Sequence, residues 1–494
     1  MTGIPLAIAG LLVLHLDFNT VQMKKDAVVD CLRVASAAGY NAVLWELENK
    51  VRWETCPECV HPEAFTKAEF REILAEADRL GLEPIPLLQT IGHAEYVLYS
   101  PKYVAWRENA ENPACYCTSR PDVRQHLKRW LHEYLELFGP KVRHFHLGGD
   151  EALVFGTCPK CRARNKMDLY VEHLGAVAEE LVKKGIRPGV WADMMMMAGD
   201  WSRREEVELD ESEMRKLPTA YTLWNWSYRF GYAPEAIPTG ARPNNLAFTG
   251  KLQGMGYQVI ACGASQSSQD TLFLPFSARH RDNLAACAEL ARKNRLLGCC
   301  CTSWSIHLYP KVLQYPLWEF TAKRYLWSAA EASVDYAAAV RRRFGDVAPE
   351  TVDLLGFGGG LFEGFDARGR GYLKPALPAE PGQLEKALKA ARSGGKGAVA
   401  KRIGALRAEA AKLDAALATI RPEAKTNANV RMLADAAGLK KAFALRMADV
   451  LEGKPLARLP VAETAAFYAS WQTPISATNA AALAWSVMEQ AFER

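Results

Sequence analysis

Hydrophobic and polar positions alternate between two periods from the first residues of the chain to about Trp327. Short apolar or alternating runs stand at 11–18, 42–47, 84–88, 142–147, 189–193, 221–226, 258–263 and 299–304, the pattern of buried strands. Between them, at 24–38, 67–80, 122–138, 168–184 and 278–294, apolar residues recur three and four apart, as on one face of a helix. Several of these stretches stop at glycine (Gly39, Gly81, Gly185), which readily takes the left-handed conformation that ends a helix. Eight strand-then-helix units predict an α/β fold, a (β/α)8 TIM barrel. A doubly wound open sheet is the alternative, but its Gly-rich phosphate turn has no counterpart here.

The pattern then changes. Residues 356–397 hold many glycines and prolines with few aliphatic runs, and from 398 onward Ala, Leu, Lys, Arg and Glu recur at helical spacing. The expected division is a barrel over 1–346, a linker or irregular segment over 347–397, and an α-helical C-terminal domain over 398–494. That last domain suits scaffolding or a homodimer contact better than chemistry.

Composition narrows the function classes. With 61 basic and 56 acidic residues the net charge is +5, too balanced for a nucleic-acid or anionic-membrane partner, and no basic stripe with interleaved aromatics is present. The apolar run 6–14 lacks a basic leader and a small-residue cleavage site, so it reads as a buried first strand and not as a signal peptide or membrane span. Three of the twelve cysteines are consecutive (Cys299, Cys300, Cys301), an unlikely disulfide framework; buried reduced thiols and a cytoplasmic setting are expected.

The chemistry centres on residues 143–152, Arg-His-Phe-His-Leu-Gly-Gly-Asp-Glu-Ala. A short strand passes two glycines and ends in the adjacent carboxylates Asp150 and Glu151, each of which resists ionisation of the other. A plain helix cap is the bland alternative. Against it, polar or aromatic residues follow nearly every predicted strand: Asp17, Glu46 with Glu48, Gln89 through His93, Trp191 with Asp193, Trp224 with Trp226, and Trp304. In a barrel these C-terminal strand ends form the active face. Aromatic faces beside acids and amides suit a sugar, whose C–H faces stack while its hydroxyls bond.

With these residues assembled, the chain resembles family 20 glycoside hydrolases, the β-N-acetylhexosaminidases, and among them the compact hexosaminidase D-like group. The resemblance rests on Leu14-His15-Leu16-Asp17, on Pro86 through His93, on His146-Leu147-Gly148-Gly149-Asp150-Glu151 (similar to the signature His-x-Gly-x-Asp-Glu), on 190–194 and on 223–226. Asn49 and Trp226 depart from it, standing where Asp and Tyr are expected, and the tyrosine that holds the reacting acetamide is not assigned. The resemblance implies exo-acting removal of terminal β-linked N-acetylhexosamine, GlcNAc or GalNAc, from a glycan or glycoconjugate. Adjacent acids cannot flank opposite faces of one sugar, which points to substrate assistance in place of a covalent glycosyl-enzyme. Glu151 would then be the acid/base and Asp150 would orient the acetamido group. His93 is the expected neighbour of the pair; Trp191, Trp224, Trp226 and Trp304 wall the pocket; Asp17, Glu48 and Asp193 bind the sugar. A non-catalytic sugar-binding barrel and a zinc-dependent hydrolase are the alternatives.

The chemistry requires no cofactor, but the cysteines suggest one. Cys56-Pro57-Glu58-Cys59 and Cys158-Pro159-Lys160-Cys161 each have the shape of a zinc knuckle, and together they predict a structural four-cysteine zinc site. Cys115, Cys117 and His61 are alternative ligands.

Overall fold

The computed structural model describes residues 10–196, 210–228, 245–267, 270, 273–305, 309–327, 336–357, 395–454, 461–478 and 481. Eight parallel strands close into a barrel: β1 (Leu11–Asp17), β2 (Ala42–Glu46), β3 (Glu83–Leu87), β4 (His144–His146), β5 (Arg187–Trp191), β6 (Thr222–Trp226), β7 (Gln258–Gln266) and β8 (Gly298–Ser303). Each strand pairs with the next, and β8 returns to β1 through Leu11↔Gly298 to Leu14↔Cys301. The alternation read from the sequence divides the strand residues between two cores. Leu11, Val13, Leu44, Ile85, Leu87, Ile260, Cys262 and Cys300 fill the barrel interior. Leu12, Leu14, Leu16, Val43, Cys299 and Cys301 face outward into a larger core shared with the helices. The cysteine run therefore splits by side-chain period, and all three thiols are buried and unbridged.

Helices α1 (Lys25–Ala38), α2 (Lys67–Arg79), α3 (Pro121–Phe138), α4 (Lys166–Lys183) and α5 (Ser277–Lys293) fall where the periodicity places them, within a residue or two at each end. Their boundaries have local causes. Thr66 and Glu69 form a reciprocal capping box at the start of α2, Asn165 caps α4, and Gly39 closes α1 in the left-handed conformation. Between β3 and α3 the chain adds a two-stranded antiparallel ribbon, Arg107–Asn109 with Asn112–Tyr116, which the sequence reading missed. The ribbon bonds back to the loop after β3 through Tyr116 N–H to Ile91 C=O and Ala94 N–H to Ala114 C=O, both at 3.0 Å.

Most of the expected irregular segment, 358–394, lies outside the described residues. The two long C-terminal helices, α6 (Gly395–Ala424) and α7 (Ala428–Leu451), pair with each other and contribute Leu406, Leu413, Leu433 and Phe443 to the same hydrophobic core as the barrel helices. Buried Lys440 fixes them to the barrel side, bonding Leu355 C=O at 2.7 Å and Glu409 at 3.0 Å. Further on, the chain clasps the start of the barrel. Met23 bridges Gln472, Lys24 N–H bonds Trp471 C=O, and Thr473 N–H bonds Gln22 C=O. Among the described residues no helix is long and apolar enough to cross a membrane.

Candidate active site

The loops after β2, β3 and β4 share a rare backbone feature. Glu48, His93 and Glu151 have φ of 43°, 48° and 43°, the left-handed region that non-glycine residues seldom occupy. Such strain, about 1–3 kcal/mol per residue, persists only where the surroundings over-determine it, and it concentrates at functional sites. Here it turns His93 and Glu151 toward one another.

The glycines explain how the loops come so close. A side chain on Gly148 would put its Cβ 1.9 Å from the Gln89 amide oxygen, and one on Gly92 would lie 2.4 Å from the Asp150 carbonyl oxygen. No larger residue fits at either place.

Asp150 is almost fully buried. Its Oδ1 accepts from Gln89 Nε2 at 3.3 Å, and its Oδ2 lies 3.4 Å from His93 Nε2. Gln89 also donates to Glu46 at 2.9 Å and accepts from Gly149 N–H at 3.3 Å, so a single amide spans the ends of β2, β3 and β4. Glu151 is the more open of the pair, its side chain 37% exposed against 6% for Asp150, with Oε2 3.6 Å from His93 Nε2. One carboxylate is therefore held and the other can reach a ligand.

The groups around the pair are strongly perturbed. Burial works against a charged His93, but the Asp150 carboxylate and its hydrogen bond outweigh it and raise the imidazole well above its ordinary value, with Glu95 and Glu151 adding to the effect. Burial lifts Glu46 to about 7, with the charge of Asp150 contributing, and lifts Asp17 to about 6, with Glu46 contributing. His15, bonded to Glu46 at 3.0 Å inside the barrel, is pushed by burial down to about 4 and is neutral.

Asp193 braces the acid. Its Oδ2 accepts the backbone N–H of Glu151 at 2.9 Å and its Oδ1 accepts Trp226 Nε1 at 3.2 Å. Trp191 and Trp224 are fully buried in the barrel interior, with His146 4.4 Å from Trp191 and 5.2 Å from Trp224 between ring centres. Trp304 lies 5.5 Å from Trp191, and its Nε1 donates to Tyr228 Oη at 2.7 Å. Tyr228 in turn stacks on Trp226 at 5.0 Å.

Tyr228, beside Trp226 and Trp304, is an aromatic residue the sequence reading did not single out. Its signal was its place two residues beyond Trp226, on the loop that leaves β6. Glu46 and Gln89 stood among the strand-end residues in the sequence, but nothing there marked them as the hub of the network.

Three expected sugar ligands are placed differently from the expectation: Asp193 is buried with both oxygens bonded as above, and Asp17 and Glu48 also lie inside the fold. Asp17 is fully buried, and its carboxylate is taken by the backbone N–H groups of Asn19 and Ser305, both at 2.7 Å. It ties β1 to the loop after β8 instead of facing the mouth. Glu48 is buried behind the loop, and burial holds its carboxyl well above the usual range, with Glu46 and Asp17 adding to the effect.

The four-cysteine site is corrected as well. Cys56 and Cys59 sit on a short 3-10 turn (Pro57–Cys59), where the Cys59 thiol faces Val97 C=O, and they do not join Cys158 and Cys161. Cys117, at the end of the ribbon, takes their place, with Glu108 beside it. His61 is not part of that group, and neither is buried Cys115.

Residues 42–228 match the family described as glycosyl hydrolase family 20, catalytic domain. Hexosaminidase D of Homo sapiens is 29% identical over 193 residues, covering 37% of this chain and 39% of that protein. Hexosaminidase D of Bos taurus is 28% identical over 223 residues, covering 43% and 62%. The alignments thus span less than two thirds of either relative. Among solved structures, a chitobiase of Flavobacterium johnsoniae superposes with a TM-score of 0.51 at 15% identity, covering 96% of this chain and 78% of that one. A β-N-acetylhexosaminidase of Bacteroides fragilis gives 0.51 at 16%, covering 68% and 70%. At such identities these two share the fold.

Proposed function

From a barrel whose residues 42–228 match the glycosyl hydrolase family 20 catalytic domain, we propose that the protein is a retaining, exo-acting β-N-acetylhexosaminidase that uses the substrate's own acetamide. The observation that carries this reading is the division of labour in the adjacent pair: Asp150 buried and bonded, Glu151 open and held in a left-handed turn. Neighbours in sequence on one loop cannot attack a sugar from one face and protonate it from the other. An internal nucleophile removes that requirement.

In the proposed reaction the acetamido oxygen attacks the anomeric carbon while Glu151 protonates the departing oxygen. Asp150 accepts the acetamido N–H and balances the positive charge that builds on the oxazolinium ring. The same Glu151, now a carboxylate, takes a proton from the water that opens the ring. His93, kept protonated by Asp150, lies within reach of both acids. Tyr228 and Trp304 close the side of the pocket, and Trp191 and Trp224 form its floor.

The test is hydrolysis of 4-nitrophenyl β-GlcNAc, β-GalNAc and β-glucoside, with and without a thiazoline mimic of the oxazoline. Cleavage confined to the acetamido sugars and blocked by the thiazoline is the expected result. Equal cleavage of the glucoside would overturn the substrate-assisted route.

A further inference from the structure

Beside the active face, the open end of the ribbon after β3, where Arg107 pairs with Tyr116, meets the loop after β4. Glu108, Cys117, Cys158 and Cys161 each turn one ligand atom inward there, and these atoms all lie within 4.8 Å of one another. Cys117 Sγ is 3.5 Å from Cys158 Sγ and 3.8 Å from Cys161 Sγ. Two sulfurs bound tetrahedrally at the usual zinc distance stand about 3.8 Å apart, whereas a disulfide would bring them to about 2 Å.

A second observation comes from the carboxylate. Glu108 is 3% exposed, and its Oε1 accepts Cys158 N–H at 2.9 Å while its Oε2 is buried with no hydrogen-bond partner. A buried carboxylate oxygen without a donor is costly unless a cation supplies the missing partner. The backbone around Cys158 and Cys161 is already wound as a knuckle, with Cys161 N–H and Arg162 N–H both bonding Cys158 C=O. Ser119 Oγ lies 3.1 Å from Cys161 Sγ, an outer contact of the kind that orients a ligating thiolate.

We propose that Glu108, Cys117, Cys158 and Cys161 form a structural, tetrahedral Zn2+ site that clamps the ribbon onto the loop carrying Asp150 and Glu151. Three thiolates and one carboxylate fill four positions and leave none for a substrate, so the ion is a clasp and takes no part in hydrolysis. The clasp reaches the chemistry from two sides. Cys158 lies on the loop that continues from Glu151, and the ribbon bonds Ile91 and Ala94 on either side of His93.

The test needs no enzymatic readout. Full-length protein expressed with added zinc and dialysed free of loose metal should carry about one zinc per chain by mass spectrometry. Cys117→Ser, Cys158→Ser and Cys161→Ser should each lower that content to less than roughly a tenth. The double variant Cys56→Ser with Cys59→Ser should keep it. In cobalt-exchanged protein, the thiolate-to-metal charge-transfer band should persist in Glu108→Gln and weaken on loss of any of the three cysteines. Should a cysteine variant fail to fold, alkylation of the wild-type chain decides: Cys117 and Cys158 should resist the reagent until a strong chelator is added. Wild-type protein that takes up neither Zn2+ nor Co2+, a Cys117–Cys158 disulfide in protein purified without reductant, or zinc that follows Cys56 and Cys59 would each overturn the site.

Discussion

Asp193→Ala probes how a loop holds Glu151, the proposed general acid. In the wild-type chain one carboxylate bonds both the Glu151 backbone N–H, at 2.9 Å, and the Trp226 indole, at 3.2 Å. The first bond helps keep Glu151 at a φ of 43°, a conformation it would otherwise leave. Burial, with the charge of Asp150 adding, raises the Asp193 carboxyl well above its usual range, and leaving its hydrogen-bond partners unsatisfied costs about 1–3 kcal/mol. If that loss falls on the transition state, kcat drops by about 5- to 150-fold. The deficit should depend on the leaving group. An alkyl β-GlcNAc needs the full proton from Glu151 and should lose the most, whereas a nitrophenyl substrate leaves readily and should lose least. Asp193→Asn keeps one acceptor and should fall between the two. The assay is steady-state kinetics on both substrates beside a thermal melt. A folded Asp193→Ala enzyme whose kcat stays within about twofold on both substrates would refute the positioning role.

Further outcomes follow from neighbouring groups. Glu46 titrates near 7 in the fold against about 4.5 when unfolded, so the native state holds its proton over that window and stability falls as pH rises through it. Glu46→Gln should remove that slope, leaving stability nearly unchanged at pH 4 and raising it by up to roughly 3 kcal/mol at pH 8, read from urea melts at the two pH values. The raised His93 works in the opposite sense: its contribution is full below its unfolded value near 6.5 and is lost as pH rises through the higher folded value. In Asp150→Asn, NMR titration should therefore find the imidazole moved down, toward neutrality at lower pH, and an unmoved titration would contradict the pairing. Gly148→Ala meets the Gln89 amide and a φ of +67°, and should lower the melting temperature by an amount equivalent to about 2–4 kcal/mol while abolishing turnover. Lys440→Met strands Glu409 in the shared core and should cost about 3–5 kcal/mol, measured by denaturant unfolding.

The barrel was legible because its signal is local and repeated. Each strand is a short apolar run, each major helix has one apolar stripe, and parallel strands joined by helices have few ways to close. The pair Asp150-Glu151 was legible because it ends the fourth strand. What was not legible depends on which loops meet. Cys-Pro-x-Cys at 56–59 and at 158–161 look alike in sequence, yet the second one faces Cys117, because an unforeseen ribbon folds over the loop after β4. Cys115 and Cys117 are two apart near the ribbon's end; Cys117 alone turns to the cluster, and no spacing rule told them apart. Asp17 looked like a sugar ligand because it ends a strand, but two backbone N–H groups claim it from positions 2 and 288 residues away.

The clasp between Gln22–Lys24 and Trp471–Thr473 bears on synthesis as well as on the finished molecule. On a ribosome the first strand emerges early, but its partner β8 ends only at Ser303 and its clasp follows near the far end of the sequence. At roughly 5–20 residues per second, the nascent barrel waits about 15–60 s with its first strand unpaired along one edge. An open, apolar strand edge invites pairing with other chains. Stopping translation before Gly298 should therefore yield chains that aggregate, because β8, the strand that covers that edge, has not been made.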